Sequence, residues 1–142
     1  MGKRKTLYMG TTGIDATKTA GEITSELVKA GATSVNTDYK NGRICGLRWV
    51  MKVNGSNVLF DMPVRIEPIA KLITDRAQAE RVAWRQLLRW VQAQNAMIET
   101  GMVQAVEIYL PYIVVHDGTG QTLFQRMNES QFKMLGSGDK PQ

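Results

Sequence analysis

Arg81, Arg85 and Arg89 recur at four-residue intervals in the stretch AERVAWRQLLRWVQAQNAMIETGM, residues 79–102. On a helix this spacing sets guanidinium groups about 6 Å apart along the axis, close to the separation of phosphates along a nucleic-acid strand. Paired N–H donors on a rigid scaffold suit phosphate oxygens. Arg48 and Lys52 fall on the face of an alternating strand opposite its apolar residues, and Arg65 ends the next strand. Together these six form the candidate nucleic-acid-binding set. The plainer alternative is a solvated helix whose arginines pair with Glu80, Asp75 or Glu67.

Other chemistry is sparse. His116 and Asp117 are neighbours in sequence, which does not generally make a working base and its orienting partner, and they read as a surface turn. Cys45 alternates with Leu47, Trp49 and Met51, so it is expected on the apolar side of a strand as a structural thiol. One cysteine and one histidine preclude a disulfide within the chain and a thiolate zinc site. Gly10 to Gly13 lacks the Lys-Ser/Thr that would hold phosphate and metal. The expectation is a non-enzymatic protein with no cofactor and no metal.

The elements that must position the arginines follow from pattern and punctuation. Ala83, Trp84, Leu87, Leu88, Val91 and Ile98 share one face of a long amphipathic helix that Gly101 stops. Trp84 reads better as core than as a base-stacking surface, while Trp90 sits at the edge of that face. Thr19-Ala20-Gly21-Glu22 fits a capping box, which predicts a short helix carrying Ala20, Ile23, Leu27 and Ala30 and ending at Gly31. Thr33–Tyr39, Arg43–Val53 and Asn57–Arg65 alternate as strands joined by Asn41-Gly42 and Asn54-Gly55, strong hairpin signals. Pro63 puts the third strand at an edge or ends it. Glu67-Pro68 opens another helix with Ile69, Leu72 and Ile73 as its apolar positions, and whether it runs through Thr74–Gln78 is left open. Lys5–Met9 suggests a short edge strand, Val106–Val115 an extended segment interrupted by Pro111, and Gln121–Leu135 a last short helix.

The fold expected is α+β: short helix, three-stranded antiparallel meander, long amphipathic helix, and an irregular or helical C-terminal segment. With 142 residues the chain has the size of one domain, with residues 1–5 a basic arm and 136–142 a frayed tail. No apolar run is long enough to span a membrane and no secretory signal is evident, so a cytoplasmic setting is expected. The net charge of +5 is concentrated: residues 40–89 carry ten basic against four acidic groups, residues 90–142 three against five. That distribution points to an anionic partner.

Several segments resemble a family of small bacteriophage and prophage proteins: Lys5-Thr6-Leu7-Tyr8 to Thr12, Thr19 to Ile23, Arg81-Val82-Ala83-Trp84-Arg85 with Arg89-Trp90-Val91, and Ile98 to Met102 with Leu110-Pro111-Tyr112. The family carries no assigned activity, so no functional residue transfers from it. What the resemblance implies is a phage origin and expression inside a bacterial host cell, where proteins of this size often assist replication or recombination or inhibit host defences. Residues and resemblance together lead to the expectation of an accessory protein that binds nucleic acid, preferentially single-stranded DNA. The alternative is a protein-interaction module, self-associating or directed at a host protein, that uses the eight methionines and the Tyr109–Ile113 stretch as an adaptable apolar surface.

Overall fold

The computed structural model describes residues 7–133 and 135–136. The basic arm of residues 1–5, and all of the 136–142 tail except Gly136, lie outside them. The chain runs α1 (Ala16–Lys29), β1 (Ala32–Lys40), β2 (Arg43–Val53), β3 (Ser56–Pro63), α2 (Glu67–Ala70), α3 (Arg76–Glu99) and α4 (Ala105–Tyr109). A 3-10 turn (Leu110–Tyr112) and α5 (Leu123–Glu129) complete it. The three strands form one antiparallel sheet in the order β1-β2-β3, so the arrangement is α+β. No helix among the described residues is long and apolar enough to cross a membrane.

Both hairpins form where the Asn-Gly pairs predict them. Asn41 and Gly42 have φ of 54° and 77°, Asn54 and Gly55 of 51° and 83°, the doubly left-handed geometry that matches strand twist. Between them β2 departs from simple alternation. Asp38 pairs with Gly46 and Tyr39 with Ile44, which leaves Cys45 as an unopposed bulge residue. A one-residue bulge inverts the parity of everything beyond it. Ile44 is therefore the buried residue, and Cys45, expected on the apolar side, is only half-buried. The backbone at the bulge is crowded: a Cβ on Gly46 would lie 2.9 Å from the Met62 carbonyl oxygen.

One face of the sheet carries the core. Leu47, Trp49, Met51, Phe60 and Met62 pack against Ile23 and Leu27 of α1 and Ala83, Trp84, Leu88 and Val91 of α3. Trp49 stacks on Phe60 with ring centroids 5.3 Å apart, and Tyr109 meets Trp49 edge-on at 5.3 Å and Trp90 at 5.7 Å. Trp84 is fully buried, whereas Trp90 keeps an exposed edge.

Several boundaries differ from the sequence reading. Helix α1 begins at Ala16 with Asp15 at its N-cap, so Thr19 is a buried residue inside the helix and caps nothing. The apolar stripe already starts at Ala16, and burial of that first turn outweighs the local capping pattern. Helix α2 stops after one turn, leaving Leu72 71% exposed. The break at Thr74 is decided by Asp75, whose carboxylate accepts from the Ala77 N–H at 3.0 Å and starts α3 at Arg76. Gly101, at φ +80°, follows its end at Glu99.

Val106–Val115 is mostly helical, because Glu107 and Gln104 form a reciprocal capping box that nucleates α4 and Pro111 sits in the first turn of the 3-10 segment that follows. Only Ile113 and Val114 are extended. They lie along β3, where Ile113 bridges Phe60 and the Val114 N–H donates to the Leu59 carbonyl at 2.8 Å. The described part of Lys5–Met9, Leu7 to Met9, belongs to a tight turn closed by the Gly10 N–H on the Leu7 carbonyl.

Candidate nucleic-acid interface

The arginine stripe of α3 does not point at solvent as a unit. Arg85 is 7% exposed, and its Nη1 donates to Glu22 Oε1 at 3.0 Å and to Thr19 Oγ1 at 3.3 Å. Its Nε is buried without a partner. Arg85 thus ties α3 to α1 and is withdrawn from any phosphate. Arg81 is half-buried and donates twice to Gln78 Oε1, while the Gln78 amide donates to the Gly10 and Thr12 carbonyls, holding the N-terminal loop against the helix. Arg89 is exposed, and among the described residues its side chain bonds only to Gln92.

The solvent face of the sheet is not a cationic surface either. Arg48 lies between Asp38 and Asp61 on the flanking strands, its Nε 3.2 Å from one carboxylate and its Nη2 3.6 Å from the other. With Lys52 further along the same face, the four charges cancel. Burial raises the Asp61 pKa above the ordinary carboxylate value; Arg48 opposes the shift and Asp38 adds to it. Lys52 and Arg65 sit at opposite ends of this sheet, because Lys52 pairs with Asn57 beside the second hairpin while Arg65 lies beyond Pro63, opposite Gly46.

A different set of cations does converge. Thr19 and Glu22 meet Arg85, and Glu26 meets Asn95, so α1 and α3 run parallel and their first turns share one end of the molecule. The β1–β2 hairpin reaches that end through the Arg43–Glu80 ion pair, and α2 through Arg76–Glu67. Lys18, Lys40, Arg43, Arg65, Lys71, Arg76 and Arg81 gather there, against Asp15, Glu67, Asp75 and Glu80. Hydrogen bonding from Arg76 holds the Glu67 pKa below its usual value, the signature of a formed pair. Lys18, Lys40, Arg65, Lys71 and Arg81 have no ion-pair partner among the described residues. The opposite end carries Lys29 and Lys52 against Glu26, Glu99 and Glu107. The two helix N-termini add their partial positive charge to the basic end.

Tyr39 stands on β1 between this group and solvent, 65% exposed and followed directly by Lys40. Neither it nor Lys18, Lys40 and Lys71 belongs to the set drawn from sequence. A topological signal was present: in a three-stranded meander the first hairpin and the start of the following helix must lie at the same end.

The remaining candidates take no part. His116 is exposed in its turn, and Asp117 is directed to Thr119 and Arg126 and away from it. Those Thr119 hydrogen bonds, with a smaller contribution from Arg126, hold the Asp117 pKa below normal. Among the described residues no three His, Cys, Asp or Glu side chains converge as metal ligands. Compared with known proteins, the chain matches no family model, no curated protein and no solved structure.

Proposed function

We propose that the protein binds nucleic acid, single-stranded DNA by preference, through its basic end and without catalysing a reaction. The observation that carries this is the polarity of charge along the helices: five cations without an ion-pair partner among the described residues share the end where α1, α3 and the first hairpin meet, and the far end is slightly acidic. Clustered, unpaired cations attract a phosphate chain and release its counterions. Exposed Tyr39 beside Lys40 supplies a flat ring on which an unpaired base can stack, which favours single over double strands. Arg81 and Arg65 remain phosphate ligands in this reading; Arg85 and Arg48 do not, and Arg89, about 20 Å along α3 from its start, lies away from the basic end. The phage resemblance of its segments gives such binding a setting in replication or recombination inside a bacterial cell.

The test is fluorescence anisotropy with labelled single- and double-stranded DNA over a salt series, on the wild type and on Lys18→Glu/Lys40→Glu/Lys71→Glu. Binding that is steeply salt-dependent, tighter for single strands and lost in the folded triple variant supports the reading. Folded wild-type protein that binds no DNA at low salt refutes it.

A second reading has one observation in its favour. Among the described residues no strand pairs with the outer edge of β1, whereas that of β3 is met by Ile113 and Val114. An open edge is a template for strand addition by a protein partner or a second copy. It predicts an association that barely changes with salt, measured by size exclusion with light scattering.

A further inference from the structure

Two adjoining hollows share Pro63, Arg65 and Tyr112. The larger, about 270 Å³, lies between the end of β3, α2 and α3 and is walled by Met62, Ile69 and Leu87. The smaller, about 80 Å³, opens toward α5 and is bordered by Phe124. Arg65 stands between them, exposed and without an ion-pair partner among the described residues. Phe124 is 42% exposed, its ring 6.4 Å from that of Phe132. The result is a cation between an open hollow of mixed polar and apolar lining, with a phenol ring in its wall, and a second exposed aromatic ring.

We infer that this cleft is the base-binding subsite of the nucleic-acid interface: one unpaired base of single-stranded DNA enters the larger hollow against Tyr112, the adjoining phosphate lies on Arg65, and Phe124 offers its face to the next base. The inference rests on the nucleic-acid reading above and locates where a strand is gripped. The larger hollow is just under the roughly 300–1,000 Å³ of drug-sized ligand pockets, which gives room for one ring system. Ile69 in its wall and exposed Lys71 belong to the same short segment, so a strand running over the basic end leads into it.

The chemistry of the walls narrows the occupant. The Gln86 amide donates to the Tyr8 carbonyl at 2.8 Å, Thr122 and Gln125 cap each other, and Asp61 is engaged with Arg48. Few hydrogen-bonding groups remain to read a base edge or a 2′-hydroxyl, so the site grips by stacking and charge, and a DNA strand satisfies it. An extended peptide is disfavoured, because Ile113 and Val114 already occupy the β3 edge beside the cleft.

The test compares a labelled oligo(dT) with an oligomer of the same length whose bases are replaced by abasic sites, at one low salt concentration. Wild type should favour oligo(dT) by at least roughly tenfold, the worth of one stacked base. Tyr112→Leu, which keeps an apolar side chain and removes the flat ring, should cut that preference by roughly tenfold while leaving abasic binding in place. Arg65→Gln should weaken both and lower the salt slope by about 0.7, one phosphate's share. Should Tyr112→Leu fail to fold, ultraviolet crosslinking of wild type to a 5-iodouracil oligonucleotide replaces it, with Tyr112 or Phe124 as the expected adduct. Equal affinity of wild type for the two oligomers, a preference that Tyr112→Leu leaves unchanged, or crosslinks confined to Tyr39 would overturn the subsite alone. Absence of all oligonucleotide binding by folded wild type would overturn the underlying reading with it.

Discussion

Arg85 and Glu22 meet 63 residues apart in the chain, Nη1 to Oε1 at 3.0 Å, with the guanidinium almost wholly buried and the carboxylate a third exposed. The pair is asymmetric, and so are its expected losses. Glu22→Ala leaves a buried cation and should destabilise by roughly 2–3 kcal/mol, below the 3–5 typical of fully buried pairs because water reaches Glu22. Arg85→Met leaves a carboxylate that can hydrate and keeps most of the packing, so it should cost about 1 kcal/mol or less. Urea denaturation of both variants measures the difference; equal losses would contradict the burial asymmetry.

The bulge in β2 ranks two adjacent residues. Ile44→Ala removes a core side chain and should cost about 2–4 kcal/mol, whereas Cys45→Ala should cost under about 1 kcal/mol. Gly46→Ala should cost about 1–3 kcal/mol by forcing the Met62 carbonyl away. Midpoints of chemical denaturation check the order.

Tyr109 is fully buried among Trp49, Phe60 and Trp90, with a hydroxyl that has no hydrogen-bond partner, and burial followed by the charge of Glu26 pushes its pKa up to about 12. Tyr109→Phe should therefore be neutral or stabilising by up to about 1 kcal/mol, since it removes an unsatisfied polar group. Tyr109→Ala should cost about 3–5 kcal/mol. Thermal melts of the two variants distinguish the ring's contribution from the hydroxyl's.

Asp61 gives a pH dependence of definite sign. Its folded-state pKa lies above the unfolded value, so the native state binds this proton more tightly. Below the unfolded pKa both states are protonated and the group contributes nothing; as pH rises through the folded value, ionisation penalises the native state. Wild type should thus lose stability relative to Asp61→Asn between acid and neutral pH. A relative gain over that interval would show that the Arg48 attraction outweighs burial.

The legible part of the fold is what short stretches decide. Asn41-Gly42 and Asn54-Gly55 need left-handed φ at both positions and obtain it locally, so both hairpins and the meander followed from sequence. The bulge at Cys45 depends on cross-strand register, which no window along one strand contains. Helical periodicity aligned Arg81, Arg85 and Arg89 correctly but could not say that the middle one faces Glu22 on another helix. The basic end was missed for a related reason: the meander alone brings Lys40 and Lys71 to one end, but Lys18 joins that end only once α1 and α3 are known to run parallel. In the C-terminal third, Pro111 outweighed the quieter Gln104–Glu107 capping pair, and the pair proved decisive.

The occupied edge of β3 also bears on assembly. A sheet with two open edges can add copies at both and grow without limit, as fibres do. Here Ile113 and Val114 obstruct one side, so among the described residues strand-to-strand association has its outlet along β1. Antiparallel pairing of β1 with β1 of a second copy uses that outlet on both molecules at once and closes on a two-fold axis. By this geometry, such association stops at two copies.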